Sequence, residues 1–170
     1  WLKDRLNAIG QKSINNVVDI ANYIMFDLGQ PLHAFDYDKL NGKTISVRNA
    51  FENEEILCLN NENNKLDPED IVISDSNGPV AIAGVIGGFD SQVDFNTKNI
   101  LLESAVFDEI SVRRTSKKYD YAKEASKRFE RGVDFENTLY VLDKFTKLLV
   151  ETTGGQASKD FVDVISKSKD

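Results

Sequence analysis

The sequence predicts an α+β fold, in which a mixed sheet of short strands in the middle of the chain is flanked by N- and C-terminal helices. Apolar residues recur at helical spacing near both ends of the chain, whereas between them they alternate or cluster in short β-branched runs. No regular strand–helix–strand alternation connects these runs, which argues against a parallel α/β architecture. The 170 residues, 41% of them hydrophobic, suffice for one domain with its own core.

We expect a single domain that divides into four segments along the chain. These are a helical start (1–42), a strand-rich middle (43–107), a helical and basic segment (108–153) and a final strand (154–170). Because the apolar pattern is already present at Trp1, we also expect this domain to be excised from a longer chain.

Two helices are predicted in the first segment. Apolar residues at helical spacing predict one helix over 1–9, and a second follows that Ser13 or Asn16 caps and Gly29 ends. The stretch 30–36 follows neither the helical nor the strand period, so we expect an ordered loop there.

About six short strands are predicted in the middle segment. The Asn-rich stretch 60–64 predicts a turn, and Cys58 lies in an apolar run where we expect a small buried side chain. As the only cysteine, it excludes an intrachain disulfide. The apolar or alternating runs that predict strands include 45–47, 56–59, 71–73, 80–83 and 100–102.

Helical patterning resumes in the third segment. It continues over 108–131, and a long amphipathic helix is predicted over 136–152, with Gly154 directly after it as a stop. The apolar run 161–165 predicts one more strand, followed by a frayed tail over 166–170.

Charge is distributed unevenly along the chain. The formal net charge is −7, which argues against an autonomous nucleic-acid binder that relies on phosphate attraction. Yet the stretch 113–131 holds eight basic residues and only three acidic ones, and it is either a solvated helix face or a phosphate-contacting patch. The basic residues are Arg113, Arg114, Lys117, Lys118, Lys123, Lys127, Arg128 and Arg131.

Other function classes are excluded by what the sequence lacks. A single histidine, His33, rules out an ordinary multi-histidine zinc site, and we expect no metal site. No window approaches the roughly 18 apolar residues of a membrane span, and no signal-peptide layout opens the chain. We therefore expect a soluble, cytoplasmic domain without a membrane partner.

Three features are candidates for chemistry. His33 is either a structural loop histidine or the imidazole of a reaction site, and Glu103, at the end of an apolar run, is either hydrogen-bonded in place or directed into a pocket. The glycine-rich stretch 83–88 matches neither nucleotide-loop motif, so it is either a tight turn or a place where a ligand approaches the backbone. No serine lies in a nucleophile elbow, which argues against nucleophilic catalysis.

Five phrases, in this order and spacing, resemble the B3/B4 region of the β subunit of bacterial phenylalanyl-tRNA synthetase. The resemblance covers nearly the whole chain. The phrases are NVVDIANY (16–23), GQPLHAFD (29–36), AGVIGG (83–88), LLESAVF (101–107) and EASKRFERGVD (124–134).

The resemblance implies an editing domain that hydrolyses the ester of tRNA(Phe) wrongly charged with tyrosine. It implies that Glu103 faces the tyrosine hydroxyl, and that Gly87 and Ala125 line the pocket and leave room for the ring. It also implies that His33 lies near the terminal ribose and the scissile ester, and that Asn22 shapes this end of the site. We expect a positioned water to attack the ester, with or without help from the terminal ribose hydroxyl.

The resemblance also implies partners and cofactors outside this segment. The family enzyme is an α2β2 heterotetramer, whose synthetic reaction uses ATP and Mg²⁺ mainly on the α subunit, so no cofactor is expected here. The acceptor end of tRNA(Phe) is the expected partner of this domain. The residues expected to hold it, on charge alone, are Arg113, Arg114, Lys117, Lys118, Lys127 and Arg128.

The sequence departs from the family pattern at the edge of the implied pocket. Lys123, counted among the substrate-binding residues, stands where a threonine is common, and Tyr121 stands where leucine is usual. The pocket edge is therefore expected to be remodelled. The alternative is a non-catalytic domain of the same synthetase that guides tRNA and packs subunits around a degenerate pocket.

Overall fold

The computed structural model describes residues 1–166, and in that part of the chain it confirms the α+β class, with five α-helices and eight short strands. The helices are α1 (Leu2–Ala8), α2 (Asn16–Leu28), α3 (Glu109–Lys118), α4 (Glu124–Phe129) and α5 (Asn137–Thr153). The strands are β1 (Leu32–Asp36), β2 (Ser46–Asn49), β3 (Glu55–Leu57), β4 (Asn63–Lys65), β5 (Ile71–Ser74), β6 (Pro79–Ile82), β7 (Ile86–Gly87) and β8 (Ile100–Ser104).

The strands form three antiparallel sheets rather than one mixed sheet. The largest has the order β2-β5-β6-β7, and the pairs β1-β8 and β3-β4 stand beside it. The main core packs around the four-stranded sheet, with Phe35 and Val72 fully buried in it. Cys58 belongs to the same core and is fully buried, as predicted.

A second, smaller core joins the two ends of the chain. Helices α2 and α5 pack together through Ile20, Ile24, Val141 and Phe145, all nearly inaccessible to solvent. Gly29 ends α2 in the left-handed conformation, as predicted. This core packs against Leu32 of β1 and against Ile100 and Leu102 of β8. The same two strands carry the candidate site residues at the alternate positions.

The predicted cap of α2 is wrong by one or two residues. Asn15, not Ser13 or Asn16, is the N-cap, and its side chain accepts a hydrogen bond from the Val18 amide. Ser13 instead donates to Asp19 Oδ2, so its hydroxyl is already engaged. Because several residues near the start of α2 are of a type that can cap a helix, tertiary contacts decide which of them does so.

The predicted loop at 30–36 is also wrong, because five of these residues form β1. The strand pairs with β8, and Ala34, Phe35 and Asp36 are buried. Its sequence has no alternation that would reveal a strand. Pairing with a partner far along the chain decides the conformation here, as tertiary context often does for strands.

The continuous helix predicted over 108–131 is interrupted. Helix α3 ends at Lys118, and α4 begins at Glu124 after a short connection in which Asp120 adopts a positive φ of 55°. The Asn-rich turn is shorter than predicted, because β4 begins at Asn63. Tyr119 and Tyr121, in the connection between the two helices, pack against the main core.

The predicted final strand at 161–165 is wrong, because the chain from 154 to 166 forms neither helix nor strand. Phe161, Val162 and Val164 are largely exposed, so no neighbouring element covers this apolar run. The tail predicted over 166–170 lies outside the described residues, apart from Ser166. Among the described residues, no helix is long and apolar enough to cross a bilayer.

Candidate active site

Strands β1 and β8 bring the single histidine and Glu103 together. In their antiparallel register, His33 is the direct cross-strand partner of Glu103. Directly opposed residues project to the same face of a strand pair, with Cβ atoms roughly 5 Å apart. The strand pairing therefore unites two candidate groups that lie far apart in the sequence.

Each of these side chains ends in a buried polar atom without a partner. His33 Nε2 and Glu103 Oε2 form no hydrogen bond within the described part of the chain. Buried polar atoms are nearly always paired, because an unpaired one costs about 1–3 kcal/mol. Two such atoms on one face of a strand pair indicate a site that a ligand completes.

Burial shifts the pKa values of these two groups in opposite directions. Desolvation lowers the pKa of His33 from 6.5 to about 4, and it raises the pKa of Glu103 from 4.5 to about 8. Both groups are therefore mainly neutral at pH 7. A neutral imidazole keeps one acceptor nitrogen, and a protonated carboxyl offers both an O–H donor and a carbonyl acceptor.

We expect Glu103→Gln to be more stable than the wild-type chain at pH 8. Folded Glu103 keeps its proton up to about pH 8, whereas the unfolded chain releases it near 4.5. The wild type therefore loses stability as pH rises through this window, by on the order of 4 kcal/mol in total. Urea denaturation of both chains at pH 4.5 and pH 8 measures the effect.

The comparison isolates Glu103, because His33 titrates in both chains and its contribution cancels. Glutamine carries no titrating proton, so the difference in unfolding free energy should shrink toward zero at pH 4.5. An equal difference at both pH values would show that the Glu103 carboxyl is not desolvated in the folded chain.

The two side chains line a small inner hollow of about 100 Å³. An apolar cavity of roughly 150 Å³ admits a benzene ring, so the inner hollow is too small for an aromatic side chain unless the side chains that line it move. Gly87 and Ala125 line the same hollow, as do the apolar side chains of Ala81 and Phe129. Four of the predicted site residues thus meet in one place.

Gly87 makes room for the imidazole of His33. A Cβ on Gly87 would lie 2.6 Å from His33 Cε1, 3.0 Å from Nε2 and 3.1 Å from Leu59 Cδ1. The ring of Phe35 meets the imidazole edge to face, with centroids 4.4 Å apart. The space that a side chain at Gly87 would fill is therefore occupied by the imidazole of His33. The expectation was that this space serves the ligand ring.

A larger outer hollow of about 410 Å³ adjoins the inner one. Leu32 and Ala125 line both, so the two hollows share a wall. Asn22 and Lys123, the remaining predicted substrate-binding residues, line the outer hollow. Lys123 is exposed and forms no ion pair within residues 1–166.

The basic segment is partly neutralised by the fold. In the described part of the chain, Arg113 and Lys117 are exposed and unpaired, and their phosphate-binding role stays a prediction. For the other four predicted tRNA-binding residues, ion pairs support the solvated-face interpretation. The pairs are Arg114 with Glu69, Lys118 with Asp70, and both Lys127 and Arg128 with Glu124.

Several residues of the site were not predicted from the sequence. Phe129 lines the inner hollow four residues after Ala125, which is a helical spacing that could have indicated it. Phe35 and Leu59, which pack around the imidazole and Gly87, carry no such signal because their placement depends on strand pairing. Over residues 1–166, no group of three or more His, Cys, Asp or Glu side chains is arranged to hold a metal ion.

Comparison with known proteins gives a consistent set of similarities. The B3/4 domain family model matches residues 1–154. The phenylalanine–tRNA ligase beta subunit of Dehalococcoides mccartyi strain 195 is 46% identical over 170 residues, covering 100% of this chain and 21% of that protein. The beta subunit of Moorella thermoacetica is 48% identical, and the match covers 99% of this chain and 21% of that protein. The beta subunit of Syntrophotalea carbinolica is 45% identical, and the match covers 96% of this chain and 20% of that protein. The chain spans about one fifth of the length of these curated relatives.

Proposed function

Because this chain belongs to the B3/4 domain family, we propose that it is the editing domain of a phenylalanine–tRNA ligase beta chain and hydrolyses mischarged Tyr-tRNA(Phe). The observation that carries this proposal is the pair of unpartnered buried atoms, His33 Nε2 and Glu103 Oε2, on side chains that line one small hollow. The proposed partners are the acceptor end of tRNA(Phe) and the ligase alpha subunit, in an assembly of two alpha and two beta chains.

Glu103 reads the hydroxyl that distinguishes tyrosine from phenylalanine. The phenol donates one hydrogen bond and accepts another, which the neutral Glu103 carboxyl matches with its carbonyl and its O–H. A phenylalanine ring in the same place leaves the buried Oε2 unpaired. A site built to bind a hydroxyl rejects the analogue that lacks it far more strongly than an apolar pocket rejects an added hydroxyl.

His33 orients the reacting groups at the ester end. Its imidazole is neutral at pH 7, so Nε2 accepts a hydrogen bond from the attacking water or from the terminal ribose hydroxyl. Water oxygen adds to the ester carbonyl carbon, the bond to the ribose oxygen breaks, and a water proton ends on that oxygen. With a pKa of about 4, His33 is a weak base, so we assign it orientation rather than proton abstraction.

The outer hollow holds the terminal nucleotide. Asn22 and Lys123 line it, and Glu124 beside them is already paired with Lys127 and Arg128. Lys123 is therefore available to contact a phosphate of the acceptor end. In this proposal the hydrolysis needs no cofactor, and ATP and Mg²⁺ serve the synthetic site of the full enzyme, outside this segment.

The experiment compares ester loss from Tyr-tRNA(Phe) and Phe-tRNA(Phe) in the full-length ligase. We expect the wild type to hydrolyse Tyr-tRNA(Phe) well above the buffer rate and Phe-tRNA(Phe) near it. His33→Ala should lower the rate for Tyr-tRNA(Phe) by about 10²-fold, because the reacting groups lose their orientation. Wild-type ester loss at the buffer rate for both substrates would favour the non-catalytic, tRNA-guiding alternative.

A further inference from the structure

Tyr121 ends in a cluster of side chains from the β3–β4 hairpin. Its side chain is 4% exposed, and its hydroxyl donates to Glu62 Oε2 at 2.6 Å. The side-chain amides of Asn60 and Asn64 donate to the same hydroxyl at 2.9 and 3.1 Å. The bond to Glu62 has a charged partner, and such hydrogen bonds are stronger and shorter than those between neutral groups.

The hairpin that Tyr121 holds supports one wall of the inner hollow. The Leu59 amide donates to the Gly87 carbonyl at 3.0 Å, and the Phe89 amide donates to the Leu57 carbonyl at 2.8 Å. Leu59 Cδ1 and His33 Cε1 both approach the position that a Cβ on Gly87 would occupy. A shift of the hairpin therefore moves the surface on which the imidazole rests.

The backbone of Tyr121 supports a second wall, the one that Ala125 forms. Its carbonyl accepts hydrogen bonds from the Lys123 amide at 2.8 Å and from Ser126 Oγ at 3.0 Å. These bonds fix the first turn of α4, which presents Ala125 to both hollows. One residue thus connects the wall of Gly87 and His33 with the wall of Ala125.

We propose that Tyr121 is a positioning residue that sets the spacing between these two walls, and through it the rate of ester hydrolysis. The inference deepens the proposed function and rests on it. Tyr121 does not line either hollow, so it acts on the reaction through His33 and Ala125 rather than by touching the substrate. Loss of its hydroxyl loosens the hairpin without changing a group in the site.

Tyr119 provides a matched control. Its ring stacks on Tyr121 with centroids 6.2 Å apart, and its hydroxyl likewise donates to a carboxylate, Asp70 Oδ2, at 2.6 Å. The same hydroxyl lies 2.9 Å from the Lys65 carbonyl, at the end of the hairpin away from Leu59. Tyr119→Phe therefore removes an equivalent hydrogen bond that does not reach the hollows.

The test measures kcat and KM for Tyr-tRNA(Phe) deacylation by the full-length ligase carrying Tyr121→Phe or Tyr119→Phe. We expect both variants to lower thermal stability similarly. Only Tyr121→Phe should lower kcat, by about 10-fold, with KM for the tRNA unchanged, because sub-ångström misplacement of reacting groups acts on the chemical step. Glu62→Ala, which removes the acceptor of the same hydrogen bond, should reproduce this loss.

A second readout does not depend on activity. The Leu59 amide should exchange with solvent faster in Tyr121→Phe than in Tyr119→Phe, because the hairpin opens more readily from Gly87. Equal kcat and equal exchange in the two variants would overturn the positioning role while leaving the proposed function intact. A wild-type rate equal to the buffer rate would instead contradict the proposed function, and this inference with it.

Discussion

Glu103→Ala is expected to abolish the preference of the proposed editing reaction for Tyr-tRNA(Phe) over Phe-tRNA(Phe). In the wild type that preference should be on the order of 10⁴, as for sites that hydrogen-bond a substrate hydroxyl. Without the carboxyl, the inner hollow becomes an apolar pocket, which discriminates only weakly, by about 10²-fold at most, and against the added hydroxyl rather than for it. The loss should fall mainly on tyrosine, because its hydroxyl then enters a hollow with no partner.

Two further variants sharpen the comparison. Glu103→Gln keeps one acceptor and one donor group, so it should retain part of the preference. Glu151→Ala, an exposed carboxylate on α5, removes a similar side chain away from the hollows and should leave the preference unchanged. The measurement is kcat/KM for both aminoacyl-tRNAs in the full-length ligase. A Glu103→Ala preference as large as that of the wild type would show that another group reads the hydroxyl.

Gly87→Ala is expected to lower the rate of Tyr-tRNA(Phe) hydrolysis by about 10²-fold. The added methyl would lie 2.6 Å from His33 Cε1, so the imidazole must move. Leu59 Cδ1 would lie 3.1 Å from the same methyl, so two side chains would contact it closely. The backbone at Gly87 is not in the left-handed region, so the effect reports on space rather than on backbone strain.

Gly155→Ala controls for the loss of a glycine. A Cβ there meets only the hydroxyl of Thr153, at 3.1 Å, which a side-chain rotation relieves, so this variant should hydrolyse the ester at the wild-type rate. The variants are compared by single-turnover deacylation of Tyr-tRNA(Phe). Unchanged hydrolysis by Gly87→Ala would contradict the assignment of the Gly87 position to the imidazole of His33.

Helices α1, α2 and α5 could be predicted from the sequence because their signals are local, whereas the break between α3 and α4 could not. Gly29 ends α2 as expected, since a left-handed glycine needs only its immediate neighbours. The position of β1 could not be predicted, because His33 and Phe35 become strand residues only through pairing with β8. The prediction of a final strand at 161–165 was wrong for a related reason, because an apolar run forms a strand only when it pairs with another strand.

The site residues were identified by resemblance rather than by pattern. From composition and spacing alone, both His33 and Glu103 could have either a structural role or a role in a reaction site. The register that makes them cross-strand partners is a property of the fold, as is the contact of Gly87 with the imidazole. Charge patterning was the least informative signal, because Lys118 and Arg114 are held by acidic residues from a distant segment.

A crystal structure of the full-length protein with a non-hydrolysable amide analogue of 3′-tyrosyl-adenosine is the most direct test of the roles proposed for Glu103 and His33. We expect the tyrosine ring to occupy the inner hollow, with its phenol oxygen about 2.5–3.0 Å from Glu103 Oε2. The free ribose hydroxyl of the analogue should then lie within hydrogen-bond distance of His33 Nε2, and the adenosine should occupy the outer hollow. A phenol oxygen directed away from Glu103, or a tyrosine ring bound outside the inner hollow, would contradict these roles.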